Sequence, residues 1–74
     1  MARLIRLDRT GHTTLAEWTA KDAAARQAAV ATFREELERG MIASVPSPDG
    51  TAEVVRELPP DADLVVMRRP IAGG

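Results

Sequence analysis

Two segments of the chain carry aliphatic residues on both alternation phases, and both read as strands at the middle of a sheet. In Arg3-Leu4-Ile5-Arg6-Leu7-Asp8, Leu4 faces one way and Ile5 and Leu7 the other. Leu64-Val65-Val66-Met67 repeats the pattern near the end of the chain. Arg9-Thr10-Gly11-His12 is turn chemistry, with Gly11 free to take a positive φ. Thr13 to Trp18 is rich in β-branched and aromatic residues and predicts the returning strand of a hairpin. Leu15 and Trp18 fall on opposite phases, which predicts a bulge or an early strand end.

From Thr19 the period changes. Thr19-Ala20-Lys21-Asp22 has the spacing of a capping box, and Ala20 to Arg39 is filled with strong helix formers. Val30, Phe33 and Leu37, with Ala29 or the stem of Arg26, form one apolar stripe directed at a core. Glu35 and Arg39 stand in the favoured i, i+4 order, and Gly40 predicts a left-handed cap. Met41 to Val45 predicts a short strand, Pro46-Ser47-Pro48-Asp49-Gly50 a turn, and Thr51 to Leu58 a further strand stopped by Pro59-Pro60. The predicted order is ββαβββ: an α+β fold with one helix across a mixed sheet, the first and last strands paired in parallel at its centre.

Composition narrows the function. The chain has 74 residues, enough for one domain. Thirteen of its apolar residues are alanine, which leaves 20 larger ones for a core. With no cysteine, disulfides and thiol chemistry are excluded. No apolar run approaches the roughly 20 residues of a membrane span, and Met1 to Arg9 lacks the long apolar stretch of a signal peptide. The expectation is a cytoplasmic protein with no membrane partner. Ten basic against eleven acidic residues give a formal charge of −1, so no global field holds a polyanion, and no nucleic-acid partner is expected. Nine of the ten cations are arginine and only Lys21 is lysine.

The predicted order of elements resembles the β-grasp fold. Leu4 to Gly40 is similar to ubiquitin in layout: a strand, a Thr10-Gly11 turn, a threonine-rich strand at Thr13-Thr14-Leu15, and a helix ending in Gly40. The stretch from Leu58 to Gly74 is more specific. It resembles the end of the molybdopterin-synthase small subunit and of thiazole-type and related sulfur carriers. Asp61, Asp63, Pro70, Ile71, Ala72, Gly73 and Gly74 match that ending position by position, whereas Arg69 stands where the carriers usually have a second proline. The helix from Thr19 to Arg39 is longer than the resemblance implies.

The resemblance implies a β-grasp domain over residues 1–69 and a flexible tail over 70–74. It implies a substrate rather than an enzyme, with no cofactor bound. The Gly74 carboxylate would be adenylated with ATP by a partner activating enzyme, then become a thiocarboxylate or join a target protein. Gly73 and Gly74 are the activated terminus; lacking Cβ atoms, they pass where a side chain would clash. Arg68, Arg69, Pro70, Ile71 and Ala72 are the expected docking residues for that enzyme, the arginines acting more on association rate than on affinity. The partners are then the adenylating enzyme and a sulfur acceptor or target protein, with the carrier itself a monomer. One lysine makes chains built on the protein itself an unlikely product and limits stray self-acylation.

The alternative is a non-covalent interaction module or antitoxin-like regulator, with Arg3, Arg6, Arg68 and Arg69 along one sheet edge and the tail a spectator. His12, expected in the first turn, has no second histidine or cysteine with which to bind a metal. Asp61 and Asp63 read as turn formers, being too few for the six to eight oxygens that calcium takes. Trp18 is expected in or beside the core at the start of the helix. No phosphate loop, nucleophile–base pair or nucleotide fingerprint is present.

Overall fold

The computed structural model describes residues 1–70. Its elements are β1 (Ala2–Asp8), β2 (Gly11–Trp18), α1 (Ala23–Glu38), β3 (Ile42–Pro46), β4 (Ala52–Val55) and β5 (Leu64–Arg68). The five strands form one mixed sheet in the order β2-β1-β5-β3-β4, with β1 and β5 parallel and every other pair antiparallel. This is an α+β arrangement, five strands and one helix, compatible with a β-grasp. The two doubly aliphatic segments do pair as neighbours within the sheet, Leu4 opposite Val65 and Arg6 opposite Met67. No helix among the described residues is long and apolar enough to cross a membrane. Apart from Pro70, the tail expected over 70–74 lies outside the described residues.

The predicted bulge is present. Leu4 pairs with Ala16 and Ile5 with Thr14, so Leu15 is the extra residue of β2. The inserted residue changes the phase of the strand, which lets Leu15 and Ala16 both pack against the core and leaves Trp18 buried.

The helix begins three residues later than the sequence predicts. Asp22, not Thr19, is the N-cap: its Oδ1 accepts from the Ala25 N–H at 2.9 Å. The Thr19 carbonyl accepts from the Asp22 N–H at 3.1 Å, so Ala20 and Lys21 form a turn. A carboxylate so placed satisfies an otherwise orphan donor, and it removes the extra helical turn. At the other end, Met41 N–H donates to the Glu36 carbonyl and Gly40 N–H to that of Leu37, a Schellman closure at Gly40 (φ 90°).

The core lies between α1 and one face of the sheet. Leu4, Trp18, Ala29, Phe33, Ala43, Leu58, Val65 and Met67 are buried in it. The fully buried row of the helix is Ala29, Phe33 and Glu36, with Val30 and Leu37 half-buried beside it. The predicted stripe therefore holds, with Ala29 and Phe33 buried and Val30 and Leu37 packed against the core, and a carboxylate, Glu36, is buried beside it. β4 ends at Val55, well before Leu58. Arg56 and Glu57 bend the chain so that Leu58 plugs the core ahead of Pro59 and Pro60. The opposite sheet face carries the in-register row Thr14–Ile5–Val66–Ser44–Val54, with Val54 63% exposed.

Phe33 is the largest fully buried side chain. Phe33→Ala is expected to destabilise the domain by about 3–5 kcal/mol, read from urea unfolding. Val54→Ala, on the exposed face, is expected to change stability by less than about 0.5 kcal/mol.

Candidate functional site

Parallel strands finish at the same end of a sheet, so the last residues of β1 and β5 lie side by side. The helix also finishes there, because Gly40 leads straight into Met41 and β3. These segments enclose an open cleft of about 1130 Å³. Arg6 and Arg9 reach it from β1 and its turn, Arg39 from the helix cap, and Arg68 and Arg69 from the end of β5. Five of the chain's ten cations therefore line one cleft, against two of its eleven acids, Asp8 and Glu36. Met41 adds apolar surface, and Leu7 and Thr10 also line the opening.

Both acids are already engaged. Glu36 is 3% exposed, and its Oε1 accepts from Arg6 Nη1 at 3.2 Å. Its Oε2 accepts from Arg39 Nη1 at 3.4 Å, a longer contact from a side chain that is 68% exposed. The pairing expected between Glu35 and Arg39 is replaced by this one, because Glu36 is the carboxylate fixed on the buried row while Glu35 faces solvent. Asp8 Oδ1 accepts from the Thr10 hydroxyl at 2.7 Å and from the Thr10 N–H at 2.9 Å. These bonds, the hydroxyl's first, hold the Asp8 carboxyl below its ordinary value of 3.8. The turn after β3 repeats the device, with Asp49 held below the same value by Thr51. The carbonyls of Glu35, Glu36 and Leu37 near the end of α1 are also occupied, by the N–H groups of Arg39, Gly40 and Met41. Among the described residues, Arg9, Arg68 and Arg69 form no salt bridge.

Of the residues expected to dock a partner, Arg68 closes β5, and Arg69 and Pro70 follow it, all three exposed. Ile71, Ala72, Gly73 and Gly74 lie outside the described residues. The line of arginines along one sheet edge is not formed. β1 and β5 are interior strands; Arg6 points to the helix side, and Arg3 pairs with Leu64 at the other end of the sheet. His12 is in β2, opposite Leu7, rather than in the turn, because the strand starts at Gly11. Asp61 and Asp63 are exposed in the connection to β5, where the Asp63 carbonyl accepts from Arg3 N–H at 2.9 Å. Among the described residues no group of three or more His, Cys, Asp or Glu is placed to hold a metal.

Arg9, Arg39 and Glu36 were not singled out by sequence as parts of a site. A signal for Glu36 existed. Arg6 shares the phase of Leu4, so a cation had to sit on the covered face of β1, and such a cation needs a carboxylate from the helix above.

No family model, no curated protein and no solved structure matches this chain.

Glu36→Gln keeps the shape of the side chain but removes the charge facing Arg6. It is expected to lower stability by about 2 kcal/mol in urea unfolding, while the double variant Arg6→Met/Glu36→Leu recovers most of that loss. Acid has a separate effect through Asp8 and Asp49. Their folded values lie below the unfolded 3.8, so the stability they contribute is full above that pH and is lost as pH falls through the folded values. Carboxyl NMR titration of Thr10→Val is expected to move Asp8 up toward 3.8 and leave Asp49 where it was.

Proposed function

We propose that the chain is a ubiquitin-like carrier, a β-grasp domain over residues 1–69 whose Gly74 carboxylate is activated by a partner enzyme. The observation that carries this reading is the parallel pairing of the first and last strands in the interior of the sheet, with the chain leaving β5 through exposed Arg68, Arg69 and Pro70. A body arranged in this way ends its last strand, at Arg68, in the interior of the sheet beside the end of β1. The ending Pro70-Ile71-Ala72-Gly73-Gly74 and its resemblance to sulfur carriers support the same reading.

The chemistry belongs to the partner. An oxygen of the Gly74 carboxylate attacks the α-phosphorus of ATP, pyrophosphate leaves, and the terminus becomes an acyl-adenylate. A hydrosulfide nucleophile then attacks the acyl carbon and AMP departs, leaving a thiocarboxylate. If a lysine amine attacks instead, the product is an amide with a target protein. The carrier contributes a terminus free of Cβ atoms and a cationic surface at the end of β5. No side chain of this chain acts as acid, base or nucleophile, and the nucleotide is held by the partner.

Incubation with ATP, sulfide and the adenylating enzyme of the same host is expected to replace one oxygen by sulfur at Gly74, or to join Gly74 to lysine, as read by intact-protein and peptide mass spectrometry. Removal of Gly73 and Gly74 is expected to abolish the product without changing the unfolding midpoint. An unchanged terminus with the cognate enzyme would overturn the proposal. If biological activity survives removal of both glycines, the non-covalent interaction module is the correct reading.

A further inference from the structure

The arginine-lined cleft has more cationic capacity than the fold consumes. Glu36 uses both of its oxygens on Arg6 and Arg39, and exposed Asp8 accepts from the Thr10 hydroxyl and N–H within its own turn. That leaves Arg9, Arg68 and Arg69 facing one opening without carboxylate partners among the described residues, on a protein whose overall charge is −1. The buried Glu36 also fixes the guanidinium of Arg6 at the floor, so one donor group is positioned before any ligand arrives. A helix C-terminus would ordinarily add negative potential at this point. Here the carbonyls of Glu35, Glu36 and Leu37 are closed by the cap, which weakens that opposition.

We infer that this cleft is a non-covalent docking site for an acidic, aliphatic protein segment, with carboxylates alternating with leucine- or isoleucine-sized side chains. Three features select that class. The volume of about 1130 Å³ is that of a groove for several residues rather than a socket for one phosphate group. The arginines stand on separate segments around the opening, which suits carboxylates spaced along a chain. Half-buried Met41 gives the groove an apolar surface, which a polyphosphate or a nucleic-acid backbone would leave unused. The cleft shares Arg68 and Arg69 with the docking end described above, but occupancy of it requires neither ATP nor Gly74.

The test is a titration of the full-length, ¹⁵N-labelled protein with a synthetic peptide in which Glu and Leu alternate, followed by amide chemical shifts. Saturable shifts are expected at Leu7, Thr10, Met41 and Arg68, with affinity falling as salt rises. The charge reversals Arg9→Glu and Arg68→Glu, both at exposed positions outside the core, are expected to weaken binding by at least about tenfold together. The same change at exposed Arg34, which lines a separate pocket with Arg56 and Leu58, is expected to leave it unaltered. A peptide with Gln in place of Glu is expected not to bind. No saturable shift, equal binding of the Gln peptide, or saturation by pyrophosphate or oligouridylate in preference to the acidic peptide would each overturn the inference. Deleting Gly73 and Gly74 separates it from the carrier proposal: peptide binding is expected to persist in a protein that can no longer be activated, and loss of binding on that deletion would count against a cleft built from residues 6–69.

Discussion

The parallel pair of β1 and β5 is the constraint on which both the core and the cleft depend. Antiparallel neighbours place their C-terminal residues at opposite ends of a sheet; parallel neighbours place them together. With Leu4 against Val65 and Arg6 against Met67, the exit of β1 and the exit of β5 are held at one end, separated by a single strand spacing. The crossover that makes the pairing possible carries α1 over the sheet and returns it to that same end. Arginines remote in sequence, Arg6 and Arg9 in one half and Arg68 and Arg69 in the other, therefore converge without any local motif linking them.

That convergence would destabilise the fold if all of the charge had to be accommodated inside it. Glu36 resolves the conflict at its most buried point. A carboxylate at 3% exposure is tolerated because Arg6 comes from the covered face of β1 to meet it and remains 36% exposed itself, so one member of the pair keeps contact with water. The pair joins helix to sheet at one end of the interface, while Phe33 and Leu4 provide the apolar contact further along. Much of the remaining positive charge stays in the open, on Arg9, Arg68 and Arg69, where hydration offsets repulsion.

The α+β class and the parallel pairing of the first and last strands were legible in the sequence because double-sided aliphatic runs at Leu4–Leu7 and Leu64–Met67 leave few placements other than the interior of a sheet. The bulge was legible for a similar reason, the phase conflict between Leu15 and Trp18. The helix start was not. Thr19 and Asp22 are both good caps, and local spacing does not decide which one the tertiary fold will use. The end of β4 was missed because alternation alone continues to Leu58, whereas the chain bends to let that side chain fill the core. Arg68 and Arg69 were visible beside the terminal motif, but the opposite wall of their cleft depended on a parallel register and a helix cap that no short window of sequence contains.

The placement of charge bears on how such a body would serve a tail-activating partner. A terminus that must enter a catalytic channel has to leave it again, so the domain cannot derive its affinity from the reacting residues themselves. Binding energy is better placed on a surface that is unchanged between reactant and product, where it brings the terminus into reach without favouring either chemical state. The cleft at the exit of β5 meets that condition. Its arginines lie on the folded body, in residues 6–69, and the scaffold that orients Arg6 is the buried Glu36 rather than the tail. An acidic segment bound there would hold the end of the sheet while residues 71–74 changed their chemistry, which separates recognition from reaction along the chain.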